Sequence, residues 1–398
     1  MNNLTTKLIK KLFFNDKNSE LFDAALNELL RQELEESVND ILKYELDSFL
    51  DYDRYQRSDN PDSRNGYYRR TMKSSYGELN LRIPRDRLAK FYTSLLPKNV
   101  QISGDTQQTI LDMFNIGMTN SDIVEAVKKI YGSAISKSSV SNITNKIIAN
   151  VEAFRRRTLS DRYAVIYLDV TMMALRRDTV SKEAVYIAIG INTNGTKEII
   201  AYSIAPTESA EGWRDLLLDI KGRGIEEVAL FCTDGLAGME KVISEIYPAS
   251  KIQRCILHVT RNISSKVRVS DRKDILDDFT KVYSSDTLEE ALKQFQKFKE
   301  AWGSKYPRVI AMLEDNRNLF TYYEFPEEIR SSIYTTNIIE SFNKQLKRKF
   351  KTKEQFPSET SAEKYLVSQF EIYNQKFLCR VHKGFGLVCD FWFRNLDS

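Results

Sequence analysis

Two aspartates close apolar runs in this sequence. Asp169 ends Tyr163–Asp169 (YAVIYLD), and Asp234 follows Val228–Thr233 (VALFCT) as the first residue of an Asp-Gly pair. Ligands of α/β sheets collect at the carboxyl ends of strands. A carboxylate at the end of a buried strand is costly unless it is paired or holds a cation. An Asp-Gly pair also starts ordinary turns, so Asp234 by itself has a plain structural explanation. The third candidate is Glu340, which three residues after Asn337 fits the last position of a helix-capping box and in that role needs no chemistry. Its surroundings argue for more. Lys344, Lys347, Arg348 and Lys351 continue its side of the predicted helix Ile338–Phe350, beside an apolar stripe of Ile339, Phe342, Leu346 and Phe350. Three such carboxylates suit two-metal phosphoryl chemistry. Hard oxygen donors favour Mg²⁺, and two ions roughly 3.5–4 Å apart activate the attacking oxygen and stabilise the leaving one. That chemistry needs no histidine base, which fits a chain with only His258 and His382.

Both histidines sit in Cys-x-x-His pairs, Cys255–His258 and Cys379–His382. A zinc site of two cysteines and two histidines drawn from both pairs is chemically possible. The plainer account of the second pair is a core cysteine with a surface histidine. Four cysteines in 398 residues exclude a disulfide scaffold, so a cytoplasmic location is expected. No apolar run approaches the ~18–20 residues of a membrane span. The N-terminal segment lacks an apolar stretch followed by a small-residue cleavage site, so secretion is not expected.

The elements that must position these groups follow from composition and periodicity. At roughly 100–200 residues per domain the length allows two to four domains. Fifty-nine basic residues against 55 acidic give a net charge of only +4, so any contact with nucleic acid requires locally concentrated charge. Residues 1–50 read as acidic helix, with Phe22, Ala25, Leu26, Leu29, Leu30 and Leu34 at helical spacing for packing against a partner helix or domain. Charge then reverses. From Arg64 to Lys90 there are eight basic residues against two acidic ones. Arg64, Arg69, Arg70, Arg85 and Arg87, interleaved with Tyr67, Tyr68 and Tyr76, suit a phosphate-contacting surface. Within that stretch Asn65-Gly66 signals a turn, and Gly77–Pro84 alternates as a short strand ended by proline.

Residues 105–150 read as three helices. The first stops at Gly117, and the second starts at a Thr119/Asp122 capping box. The third is capped by Ser136 and carries Ile135, Val140, Ile143, Ile147 and Ile148 on or near one face. This is a helix-turn-helix pattern. Lys137, Ser139, Asn142 and Lys146 on the polar face of its last helix are placed to reach DNA. From residue 160 the chain reads as three meandering strands, helix, strand, helix, strand, which is a mixed α/β sheet. Residues 268–330 read as a helical insertion with its own core, including Leu288, Leu292, Phe295, Phe298 and Trp302. The expected organisation is therefore an N-terminal helical region (1–55), a basic strand-containing region (56–103), a helix-turn-helix-like domain (104–158) and a catalytic core (159–267 and 331–398) interrupted by the insertion (268–330).

The motifs carry a resemblance over nearly the whole chain. Tyr167-Leu-Asp-Val170, Glu208-Ser209 with Trp213, Thr233-Asp-Gly-Leu236, Gln253-Arg-Cys-Ile-Leu-His258 and Tyr334-Thr-Thr-Asn-Ile-Ile-Glu340 resemble Mutator-type insertion-sequence transposases. These are DDE transposases with a ribonuclease H-like core. Val170-Thr-Met-Met173 departs from the small or polar residues more usual in that family. The resemblance implies that Asp169, Asp234 and Glu340 are the catalytic triad and hold two Mg²⁺ or Mn²⁺ ions. It implies that Arg254, Cys255 and His258 belong to a motif lying close to the active site and the DNA end. It also implies binding of terminal inverted repeats, strand cleavage and transfer to target DNA, commonly by way of a circular intermediate. A homodimer or larger assembly in a nucleoid-associated setting would follow. The alternatives are a ribonuclease H-like nuclease or resolvase that only hydrolyses, and a non-catalytic DNA-binding regulator derived from a transposase.

Overall fold

The computed structural model describes residues 19–51, 61–93, 96, 102, 104–131, 135–236, 238–389 and 391–392. The chain forms two compact units, Met1–Lys146 and Ile147–Ser398.

In the first unit the long helix α1 (Ser19–Leu50) lies on an antiparallel hairpin of β1 (Arg64–Ser74) and β2 (Gly77–Asp86). Alternation along β2 buries Leu79, Leu81 and Ile83 against Leu42, with Leu34 and Val38 alongside. The outer edge of β2 is covered by α1 side chains. Asn80 N donates to Glu35 Oε2 at 2.9 Å, and Arg82 N donates to Asn39 Oδ1 at 2.7 Å. These bonds satisfy an edge that would otherwise invite strand pairing. They also explain why Pro84 does not end the strand. By the two-residue period its missing N–H falls on the side of Asn80 and Arg82, away from β1. The Asn65-Gly66 pair is not the turn of the hairpin. Gly66, at φ +68°, lies in β1 at a shift of register between Arg64 and Tyr67, and the turn is made at Ser74–Gly77. Of the apolar stripe read near the start of α1, Phe22 lies outside the described side chains, and Leu26 and Leu30 are exposed.

Helices α2 (Gly104–Asn115), α3 (Asn120–Tyr131) and α4 (Lys137–Thr144) pack on one another. The capping box forms as expected, with Thr119 N donating to Asp122 Oδ2 at 3.0 Å and Asp122 N donating to Thr119 Oγ1 at 3.2 Å. Ser136 caps α4 by accepting from Ser139 N. The third helix does not run on to Ile148. It stops at Thr144, and α5 (Ile147–Arg156) starts anew as the first element of the second unit.

The second unit is built on five strands in the order β5-β4-β3-β6-β7. These are β3 (Arg162–Arg176), β4 (Val180–Asn192), β5 (Lys197–Ala205), β6 (Glu227–Thr233) and β7 (Lys251–Arg254). β4 pairs antiparallel with both β3 and β5, whereas β6 pairs parallel with β3 and β7 parallel with β6. Helices α6 (Ala210–Gly222) and α7 (Met239–Ile246) make the crossovers and bury Trp213, Leu217, Ile220 and Ile243 in the main core. Helices α8 (Ile256–Lys266), α9 (Arg272–Tyr283), α10 (Leu288–Trp302), α11 (Pro307–Glu314) and α12 (Glu327–Ile333) follow. Then come α13 (Asn337–Lys353), which packs on β3, and α14 (Glu359–Phe377), which packs on β5 and α5. In α10 the buried positions are Ala291 and Phe298, while Leu288 and Leu292 are exposed. Its inward face therefore runs through 291, 295, 298 and 302, and the two leucines lie off it.

Candidate active site

The register of the parallel pair fixes the first two acids. Tyr167 pairs with Cys232 at the last rung of the parallel pair; two residues on, Asp169 continues in β3 while Asp234 is the first residue past the end of β6. The register thus brings the two carboxylates close to one another where β6 leaves the sheet. Asp169 Oδ2 accepts from Asn343 Nδ2 at 2.9 Å, and its Oδ1 accepts from Val170 N at 2.8 Å. Burial pushes the Asp169 carboxyl up to about 6, partly opposed by those two hydrogen bonds and reinforced by the charge of Asp234. Asp234 Oδ1 accepts from Leu236 N at 3.2 Å, which fixes the turn after β6. Gly235 in that turn has φ +88°, and a Cβ there would fall 1.8 Å from Arg254 Nε. Arg254 Nη2 in turn donates to Gly235 O at 2.6 Å. Only glycine allows this close approach.

Glu340 arrives on α13, whose N-cap is Thr336 rather than the expected Asn337. The Glu340 side chain does not close a capping box. It accepts a fork of two bonds from Arg261, Nη1 to Oε1 at 3.0 Å and Nη2 to Oε2 at 2.9 Å. Two charge-assisted bonds outweigh a single bond from a backbone N–H. Burial pushes Glu340 upward, but Arg261 and the nearby His258 hold it below the usual carboxylate range. Arg261 lies one turn beyond His258 on α8, and Cys255 stands at the N-cap of the same helix. The buried Cys255 Sγ accepts from Thr336 N at 3.3 Å and from Thr336 Oγ1 at 3.2 Å. His258 Nδ1 lies 3.6 Å from Glu340 Oε1. The Cys255 sulfur raises the His258 imidazole above its ordinary value, and Glu340 and Asp234 reinforce the shift.

Among the described residues, the group with three metal-ligating donor atoms within 4.8 Å of one another is Cys255, His258 and Glu340. Asp169, Asp234 and Glu340 do not gather that closely. Asp169 is not at the end of its strand, as the apolar run suggested, but inside β3, beside the point where β6 ends and Asp234 follows; Glu340 stands with α8 under the Arg261 fork. Cys379 and His382 join no such group.

Three residues near these acids were not singled out as site residues from the sequence. Asn343 ties α13 to Asp169, and its own Oδ1 is buried without a hydrogen-bond partner. Arg261 neutralises Glu340. Glu208 is raised by burial and by the charge of Asp234, and Trp213 Nε1 lies 3.4 Å from its Oε1. A pointer to Glu208 was present in the motif it shares with Trp213. Asn343 and Arg261 had only helical spacing to Glu340 and His258.

The basic residues fall into two sets. Lys344, Lys347, Arg348 and Lys351 are exposed on α13, as are Arg69, Arg85, Arg87, Lys137 and Asn142 in the first unit. The others are engaged. Arg64 Nε donates to Asp47 Oδ1 at 3.0 Å, and Arg70 Nη1 to Leu96 O at 3.3 Å. Ser139 sits in the Ser136 cap, and Lys146 Nζ donates to Gln107 Oε1.

The second unit is thus a mixed α/β unit with partly buried acids where β6 leaves the sheet and an exposed basic face on α13. The chain belongs to the Mutator family of transposases, whose family description, "Transposase, Mutator family", matches residues 5–378. It is 41% identical over 367 residues to the transposase for insertion sequence element IS905 of Lactococcus lactis subsp. lactis (strain IL1403), covering 92% of this chain and 94% of that protein. It is likewise 41% identical to the transposase for insertion sequence element IS1201 of Lactobacillus helveticus, over 93% of this chain and 99% of that one. The transposase for IS256 in transposon Tn4001 of Staphylococcus aureus is 26% identical over 82% of the chain and 85% of its own length. Among the described residues no helix is long and apolar enough to cross a membrane.

Proposed function

We propose that the protein is the transposase of an insertion sequence, binding the terminal inverted repeats of its element and catalysing metal-dependent strand cleavage and strand transfer. The observation that carries this reading is the nearness of Asp169, in β3, to Asp234, just past the end of the adjoining parallel strand β6, with α13 bringing Asn343 onto Asp169 and carrying Glu340 one turn before it. Three antiparallel strands continued by two parallel ones agree with a ribonuclease H-like core. The capped α3–α4 pair, with Lys137 and Asn142 exposed, agrees with a helix-turn-helix.

Asp169 and Glu208 are both raised, chiefly by burial and then by the charge of Asp234, and a cluster of partly buried carboxylates fits divalent ions held by hard oxygen donors. Asp169, Asp234 and Glu340 would hold two Mg²⁺ or Mn²⁺ ions. When bound, the ions would supply an activated oxygen and a stabilised leaving group for in-line displacement. The chain's own contributions are distinct. Asn343 fixes one oxygen of Asp169. Arg261 occupies one lone pair on each Glu340 oxygen, so Glu340 would ligate through the lone pairs the fork leaves or after the fork opens. Lys344, Lys347, Arg348 and Lys351 neutralise DNA phosphates along α13. Two element ends must be handled together, so a dimer or larger assembly is part of the proposal.

Replacing Asp234 by Asn should abolish cleavage of a duplex carrying the element's end while leaving its binding intact. Unchanged cleavage discards the assignment. Supplying pre-cleaved ends with target DNA should give joined product. Hydrolysis without joining would instead make the protein a nuclease or resolvase.

A further inference from the structure

On the side of α13 turned away from Glu340, a cleft of about 240 Å³ opens between α13, α14 and the start of β5. Lys349 lies nine residues after Glu340, half a revolution round the helix. It shares the cleft with Lys197, the first residue of β5, and Lys376, near the end of α14. No carboxylate lines this cleft. Lys349 Nζ donates to Gln369 Oε1. Lys197 Nζ stands 3.9 Å from the centre of the Phe377 ring, and Lys376 Nζ stands 5.5 Å from the same ring.

This is an unusual way to place lysines. Half-buried ammonium groups ordinarily find an acid. Here the half-buried Lys197 instead shares one aromatic ring with the exposed Lys376, which offsets only part of its desolvation. Burial lowers Lys197, and Lys376 lowers it further; burial alone lowers Lys349. His382, close to Lys197, is another nitrogen base rather than a counter-charge. Three lysines act as point charges suited to the oxygens of a phosphate, and Tyr373 and Phe377 offer apolar faces for an attached sugar or base.

We propose that this cleft is a phosphate-binding site, remote from the acidic pocket, that takes phosphates of a nucleic-acid backbone or of a free oligophosphate. It stands whether or not the acidic residues are catalytic, because its test involves no cleavage.

The experiment is calorimetric titration of the full chain with inorganic pyrophosphate, repeated on Lys197→Gln/Lys349→Gln/Lys376→Gln and on Lys376→Gln alone. Since Lys376 is exposed, the single variant should fold even where the triple variant does not. Pyrophosphate should bind the unaltered chain, more weakly by about tenfold in the single variant and by more in the triple one, given about 1.5–3 kcal/mol for a hydrogen bond to a charged group. Absence of binding to the unaltered chain, or equal binding by the variants, overturns the site. Duplex DNA then identifies the occupant. A salt dependence shallower by up to about three powers in the triple variant marks a backbone contact. An unchanged slope with pyrophosphate binding lost marks a free oligophosphate.

Discussion

Cys255–His258 and Cys379–His382 have the same spacing and opposite circumstances. The first pair begins α8. Its cysteine is buried under Thr336, and its histidine is raised by the cysteine sulfur and by the acids Glu340 and Asp234. The second follows α14 outside any helix. Its cysteine is exposed, and the backbone of its histidine donates to Gly195 O at 2.8 Å. Burial and the charge of Lys197 push His382 down to about 4. One imidazole thus stands between a cysteine sulfur, a carboxylate and the guanidinium of Arg261, with its net shift upward, and the other stands beside a lysine and is pushed down. A four-residue motif sets which side chains can meet, and the charges that the fold brings around them decide what they do.

The widest gap between the pairs should be in catalysis. Replacing His258 by Ala should lower strand cleavage about 10–100-fold, as for residues that support metal-binding groups. Replacing His382 by Ala should leave the cleavage rate within about twofold. Equal losses would erase the distinction. A smaller contrast lies in acid stability. Because the folded His382 is depressed, its contribution is complete above 6.5 and is lost as pH falls towards about 4. After allowance for solvent screening this is about 1–2 kcal/mol. Urea unfolding above and below that window should show a shallower acid decline in His382→Gln than in the unaltered chain. The smallest effect is expected at Cys379. Its replacement by Ser should change stability by no more than about 0.5 kcal/mol and leave the zinc content of the purified protein as it was. Zinc present and then lost in that variant would join the two pairs into one metal site.

What was readable in advance was local. An apolar run ending in Asp marks a buried strand, and Asp234 does follow the end of β6, but Asp169 lies in the middle of β3, which runs on to Arg176 paired with β4, because the residues beyond it still have a partner strand. The caps at Thr119 and Ser136 depend on neighbours three residues away and form as expected. The cap at Asn337 does not, because Arg261, 79 residues from Glu340, competes for that carboxylate. The bond from Asn343 to Asp169 spans 174 positions, and no periodicity reports it. The lysine cleft gathers residues from β5, α13 and α14, none remarkable within its own segment. Pro84 misleads as a strand terminator because α1, not the hairpin, determines which edge positions need a donor.

The Arg261 fork on Glu340 bears on how the protein survives between reactions. The guanidinium resting on Glu340 is a built-in counter-ion that keeps this half-buried carboxylate charged. On the proposed role of Glu340, a divalent ion would take over a charge the fold already balances, so the polypeptide would not depend on metal to fold.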